Sequence, residues 1–361
     1  MTAPPVTDPR PDSPLVTLRS PADLIAFTPY LLGFHPTDSV VVVGFRDREV
    51  AFAARGDLPD PGGGLPDPGG GGGPVTGGGP VIGPAREIAD LVVRQPVDAV
   101  ALLGYGPAAA VDPLLGAVHD MMRRRDLRVT EVLRVTDGRW WSYLCDNPRC
   151  CPPEGVPIDP VGTGQVTAWC TYAGLTAAGS RQELAGRIAP VGGAERAAMT
   201  RATDRAEREL LGWLETVPEA GRAEAVLGAG RSALDAARTR YAEGGALADG
   251  ELARLGLLLA SIPVRDAAWR AVTTEQSQLR LWTDLTRRAD PPLVPAPASL
   301  LAFTAWRSGD GALAGLAVQR ALQEDPCYSM ATLILDALQQ GLAPSTLDGW
   351  PEVGEPGDEI T

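Results

Sequence analysis

The chain has 361 residues, is 44% hydrophobic and 21% charged, and carries a formal charge of −13. That length suits two domains with cores that need no disulfide or metal staple. The acidic balance lacks the electrostatic footprint of a nucleic-acid binder, and no apolar run of about 18 residues offers a membrane span.

In chain order, residues 1–19 are Pro-rich and read as a flexible start without a basic, apolar leader, so the expected location is cytoplasmic. Ser20-Pro21-Ala22-Asp23 has the pattern of a helix start, with Ser as N-cap, Pro at the first position and Asp in the first turn. Leu24, Ile25, Phe27, Leu31 and Leu32 continue at helical spacing to Gly33, with a kink or a break into two short helices expected at Pro29. Val40 to Phe45 is a buried strand, Asp47-Arg48 a turn, and Val50 to Arg55 the returning strand.

Residues 56–84 hold 13 Gly and 7 Pro, including a tandem repeat from Leu58 to Gly71. Such a segment buries too little to offset its backbone entropy and reads as a disordered insertion. An α/β alternation follows: a helix at 85–94, a strand at 97–104, a helix at 113–125, a strand at 129–135, the turn Asp137-Gly138, and a strand at 140–145. The expected fold is therefore a mixed sheet with flanking helices over 20–158, then an all-α, repeat-like domain over 159–347 and an acidic tail, 348–361. Helices are predicted at 194–217, 222–243, 249–260, 264–273, 275–289, 297–308, 311–324 and 329–340.

The basic residues narrow the chemistry. All 32 are Arg, which removes phosphate-loop and Schiff-base lysines. His35 and His119 lack metal-ligand spacing, and His119 reads as a structural helix residue. Arg123, Arg124, Arg125 and Arg128 close a helix whose dipole favours them there.

Three catalytic candidates remain: His35, Asp38 and Ser39, at a helix-to-strand junction. An imidazole there suits a general base or a ligand anchor, or a turn closed by Asp38 through local backbone bonds. Trp140 and Ser142 face one side of their strand, Trp141 and Tyr143 the other, and one side is expected to meet a ligand. Arg139, Cys145 and Glu154 complete the ligand-binding candidates. Cys145, Cys150 and Cys151 follow C-x4-C-C spacing without a C-x-x-C knuckle, and adjacent cysteines tend to diverge. No metal and no cofactor are therefore expected, and a redox pair or ordinary reduced thiols stay open. Cys170 is read with that set, and the isolated Cys327 reads as structural.

Two segments carry a resemblance. Tyr30-Leu31-Leu32-Gly33-Phe34-His35-Pro36-Thr37-Asp38-Ser39, with Val40 to Gly44, is the first. Arg139-Trp140-Trp141-Ser142-Tyr143-Leu144-Cys145, leading to Cys150-Cys151-Pro152-Pro153-Glu154-Gly155, is the second. Together they resemble an actinobacterial family described as a domain of unknown function (number 4192), which implies a bacterial cytoplasm and no particular chemistry. Residues 297–341 are similar to a tetratricopeptide-like hairpin, with Gly309-Asp310 at its turn, Ala317 and Ala321-Leu322 in its second helix, and Asp325-Pro326 at its end.

Two functions from different classes follow as expectations. The first is a cytoplasmic binding or regulatory protein that takes a protein or peptide on its helical domain. The second is a small-molecule enzyme, a hydrolase or transferase, using His35 and Asp38 near the Cys145–Gly155 loop. If the strand after His35 and the strand before Cys145 run antiparallel, the two residues share one edge of the sheet.

Overall fold

The computed structural model describes residues 2–3, 17–59, 81–159, 161–173 and 175–347. The centre of the Gly/Pro segment, most of the Pro-rich start and the acidic tail lie outside the described residues. The chain divides into two compact units, Met1–Glu183 with Gln339–Gly341, and Leu184–Leu338 with Leu342–Thr361.

The first unit is α/β. Its elements are β1 (Thr2–Ala3), α1 (Pro21–Leu32), β2 (Ser39–Arg46), β3 (Glu49–Asp57), α2 (Ile82–Val93), β4 (Ala99–Tyr105), α3 (Ala108–Arg124), β5 (Arg128–Thr136), β6 (Arg139–Ser142), β7 (Val156–Pro157), α4 (Gly164–Tyr172) and α5 (Arg181–Gly186). Among the described residues they form one sheet of seven strands, ordered β1-β3-β2-β4-β5-β6-β7. β4 and β5 are parallel neighbours. β2 runs antiparallel to both β3 and β4, and β6 antiparallel to β5.

Local chemistry sets the element ends. Ser20 caps α1 with its side chain, Asp23 reaches back to the Ser20 amide, and Gly33 closes the helix at φ 74°. α1 runs through Pro29 as one helix, so two short pieces are not formed. The β2–β3 turn takes positive φ at both Asp47 (51°) and Arg48 (74°), the combination a two-residue hairpin demands. β3 continues through Gly56 and Asp57, and α2 starts at Ile82, which shortens the expected insertion from both ends. α3 begins at Ala108, one turn and more before the predicted start, with Pro113 in its interior.

The crossovers β3–α2–β4 and β4–α3–β5 step across the sheet in the same direction. Right-handed connections then send both helices to the same face. One core results: Val42, Phe52, Val100 and Leu102 of the sheet meet Ile88 and Val92 of α2 and Val111, Leu115 and Met122 of α3. The alternate residues Val41, Val43, Ala101, Leu103 and Leu133 point the other way and are equally buried. α1 lies on that second face, with Thr28 beside the Tyr105 phenol. α4 packs against α1, Phe27 standing edge-on to Trp169 with ring centres 6.2 Å apart. The α/β unit therefore extends to residue 183, beyond the boundary expected at 158, because α1 takes a helix from after the last strand as its neighbour.

The second unit is helical: α6 (Gly193–Thr216), α7 (Arg222–Ala242), α8 (Asp249–Leu259), α9 (Ile262–Arg270), α10 (Gln276–Arg288), α11 (Pro295–Arg307), α12 (Gly311–Glu324) and α13 (Ser329–Gln339). Each lies within two residues of its predicted span, except that α9 ends three residues early, at Arg270 rather than 273. α11 and α12 pack as a close pair, and Ala298, Ala302, Ala305, Ala314, Ala317 and Ala321 are fully buried in them. Arg288 ties α10 to the start of α8, donating to Asp284 of its own helix, to Asp249 and to the Leu247 carbonyl at 3.3 Å.

Candidate functional site

Register places the sequence candidates. Asp57, Ser39, Tyr105, Val135, Trp140 and Val156 form one row across the sheet. Ser39 and Trp140 are three strand spacings apart, roughly 14 Å. β2 and β6 run parallel, by way of β4 and β5 between them. Ser39 begins β2, whereas Cys145 follows the far end of β6, past the bond from the Tyr143 amide to the Val132 carbonyl (2.8 Å). The shared edge expected for His35 and Cys145 is therefore not formed, because the strand directions are parallel. The site expected from His35, Asp38 and the Cys145–Gly155 loop separates into two places.

At the first place the turn is tied by its backbone. The exposed His35 donates its amide to Ala178 O at 2.9 Å. Asp38 takes φ 43°, and its carbonyl accepts from Leu58 N at 3.0 Å. Ser39 is fully buried, with no hydrogen-bond partner for its hydroxyl among the described residues. Arg55, two residues before Ser39's partner Asp57, pairs with that Asp57 carboxylate at 2.6 Å, donates to Thr37 O and lies over the Phe34 ring. Of the three candidates only Ser39 is buried, and its hydroxyl is bonded to neither His35 nor Asp38.

The second place is the β6–β7 connection, and here most of the ligand-binding candidates meet. Arg134 on β5 and Trp141 on β6 are cross-strand partners, and the guanidinium lies 3.8 Å from the indole centre. On the β7 side, Trp141 Nε1 donates to Pro153 O at 2.9 Å. Gly155 sits at φ 80°, so close that a Cβ there would lie 2.5 Å from the indole. Arg139 donates to the carbonyls of Glu154 (3.3 Å) and Gly155 (2.8 Å). Trp140, on the opposite face, is buried. Tyr143 is exposed and donates its hydroxyl to Asp112 of α3. The aromatic side expected to meet a ligand is occupied by the chain's own loop.

That loop is folded by Asn147. Its side-chain oxygen accepts from Arg149 N at 3.0 Å, and its carbonyl accepts from the amides of Cys150 (3.0 Å) and Cys151 (2.8 Å). The turn brings Cys145, Cys150 and Cys151 together, their sulfurs all within 4.8 Å of one another. The divergence expected of adjacent cysteines does not occur. The bond from the Asn147 backbone holds the Cys145 thiol below the ordinary thiol range, helped by Cys151. Burial pushes Cys151 up to about 12, and the two neighbouring thiols add to it. Cys170 is buried in α4 and Cys327 is exposed in the second unit.

Beside the loop runs an open groove of about 460 Å³, lined by His119, Arg123, Asp126, Arg128 and Leu144 among others. The expected basic cluster is partly neutralised, since Arg125 pairs with Asp90 and Arg128 with Asp98 at 3.6 Å.

Tyr143 yields a pH prediction. Burial and the adjacent Asp112 carboxylate raise its phenol to about 12 from an ordinary 10. The folded state thus holds this proton more tightly than the unfolded chain. Its contribution is complete below pH 10 and lost as pH rises towards 12. Melting temperatures of wild type and Tyr143→Phe are expected to converge across that window. A gap that stays constant from pH 9 to 12 would remove the assignment.

A family model described as a domain of unknown function (DUF4192) matches residues 21–345. No curated protein and no solved structure matches the chain.

Proposed function

This chain belongs to the DUF4192 family, and on that premise we propose that it is a cytoplasmic binding or regulatory protein that holds a protein or peptide segment on its helical unit. One observation carries this reading. From Glu207 to Ala229 no residue is buried. This stretch is the second half of α6, the turn after it and the first part of α7. It contains Leu210, Leu211, Trp213, Leu214, Val217, Val226 and Leu227, and Leu211 is 55% exposed. α6 buries Met199, Ala202, Thr203 and Ala206, and α7 buries Gly230, Leu234, Ala237 and Tyr241, all on the far side of that stretch. An apolar tip on two helices, with Leu211 exposed and the other six residues half-buried, is a surface by which helical modules take up amphipathic partners. The tetratricopeptide-like α11–α12 pair belongs to the same reading as its rigid support. The separation of the His35–Ser39 turn from Cys145, with the Ser39 hydroxyl bonded to neither His35 nor Asp38, supports a binding role over the enzymatic alternative.

The test is a paired variant, Leu211→Glu with Trp213→Ser. Partner capture from native cytosol, quantified against wild type, is expected to fall at least tenfold while the melting temperature shifts by no more than about 2 °C, as surface changes do. Undiminished capture by the variant, or capture lost equally on His35→Ala with Asp38→Ala, overturns the reading.

A further inference from the structure

We propose that Cys145, Cys150 and Cys151 form a three-thiolate site for one zinc ion, with the fourth position left to water or an external ligand. The argument starts from distance. Sulfur atoms on one tetrahedral zinc stand about 3.8 Å apart, given Zn–S bonds of about 2.3 Å. The three sulfurs here all lie within 4.8 Å of one another. Closing onto an ion therefore asks each pair to approach by about 1 Å at most, within reach of side-chain rotation alone.

The loop is prepared for this. Its far end is fixed to the sheet by Trp141 Nε1 to Pro153 O and by Arg139 to the Glu154 and Gly155 carbonyls. Its near end continues from β6, and Asn147 folds the middle back over Cys145. Three sulfurs of a short segment are thereby held together without any disulfide, and all three cysteines are free. A disulfide would use two of them and strand the third, whereas one ion uses all three.

Ligand chemistry selects the ion. Thiolates are soft donors and favour zinc or monovalent copper over magnesium or calcium. Cys150 is exposed and Cys145 and Cys151 are half-buried, so one side of the cluster faces solvent. Three protein ligands plus an exchangeable position is an arrangement zinc adopts. Binding is an exchange without electron transfer: the ion replaces the thiol protons, which pass to solvent. The site reverses the sequence expectation that no metal is held. The proposal does not rest on the α6–α7 reading.

The experiment uses the full chain, purified under reducing conditions and stripped of metal. Titration with Co²⁺ is expected to give a sulfur-to-cobalt charge-transfer band that saturates at one equivalent, and Zn²⁺ is expected to bleach it. X-ray absorption of the zinc form is expected to show three sulfur neighbours and one light atom. Cys150→Ser, at the exposed position, is expected to weaken zinc at least tenfold and to keep the wild-type circular dichroism. Cys170→Ser and Cys327→Ser are expected to bind one equivalent unchanged. Any of three results overturns the proposal: no thiolate–cobalt band with all thiols reduced, equal zinc affinity in Cys150→Ser, or binding of Cu⁺ without binding of Zn²⁺.

Discussion

Trp282→Ala is expected to destabilise the helical unit by about 3–5 kcal/mol, the range for removing a large buried aromatic. Trp282 heads the fully buried side chains by size, at 1% exposure in α10. Its loss leaves more than a void. The indole Nε1 donates to Gln278 Oε1 at 3.4 Å, and Gln278, itself 3% exposed, donates onward to Ala271 O at 3.2 Å. The alanine variant strands the Gln278 oxygen in a place water does not reach, which adds a desolvation cost to the cavity. Urea unfolding followed by far-ultraviolet circular dichroism checks the value. A loss under about 1.5 kcal/mol would mean that α10 and its neighbours collapse into the space.

Gly155→Val is expected to cost about 2–5 kcal/mol and to release the Cys145–Gly155 loop. Two terms combine. A branched residue at φ 80° is strained by about 1–3 kcal/mol. Its Cβ would also stand 2.5, 2.6 and 3.0 Å from three carbons of the Trp141 indole, so the ring must leave its place between Arg134 and Pro153. Gly138→Ala separates the terms: φ there is 70°, with nothing within 4 Å of the added carbon. Gly138→Ala is expected to lose about 1 kcal/mol and to leave the reaction of Cys150 with a thiol reagent unchanged. Gly155→Val is expected to lose more and to speed that reaction. Equal losses in the two variants would show that the Trp141 contact contributes nothing.

The fold class was legible because its signals are local and periodic. Four consecutive valines after Ser39 marked a buried strand, Asp47-Arg48 and Asp137-Gly138 marked hairpin turns, and the apolar spacing of α6 and α10 marked long helices. α4 was not legible: Gly-Gln-Val-Thr-Ala-Trp-Cys-Thr-Tyr is rich in β-branched and aromatic residues, whose helix propensity is weak, and tertiary packing on α1 decides the matter. β7, of two residues, has no periodicity to read.

The site divided along the same line. Alternation placed Trp140 and Trp141 on opposite faces, which the pairings Val135–Trp140 and Arg134–Trp141 reproduce. The relation of His35 to Cys145 needed the directions of β2 and β6, and those follow from a pairing order that spacing does not encode. The convergence of three thiols also escaped the spacing rule. It depends on one asparagine accepting three backbone amides, and the signal available was Asn147-Pro148 in a cysteine-flanked segment.

The position of α4 sets a schedule for synthesis. Chains are made from the N-terminus, and domains tend to fold as units as they emerge. By the time β7 has been made, α2 and α3 are present and one layer of the unit can assemble. The opposite layer still waits: Val41, Val43 and Leu103 have α1 above them, but α1's own neighbour begins at Gly164. A nascent chain that has exposed β7 but not yet α4 would hold a paired sheet whose α1 layer still lacks its neighbour, a species open to chaperone capture. The same holds for a fragment trimmed after the last strand. The stretch that looks like a connector between the units is thus a late component of the first.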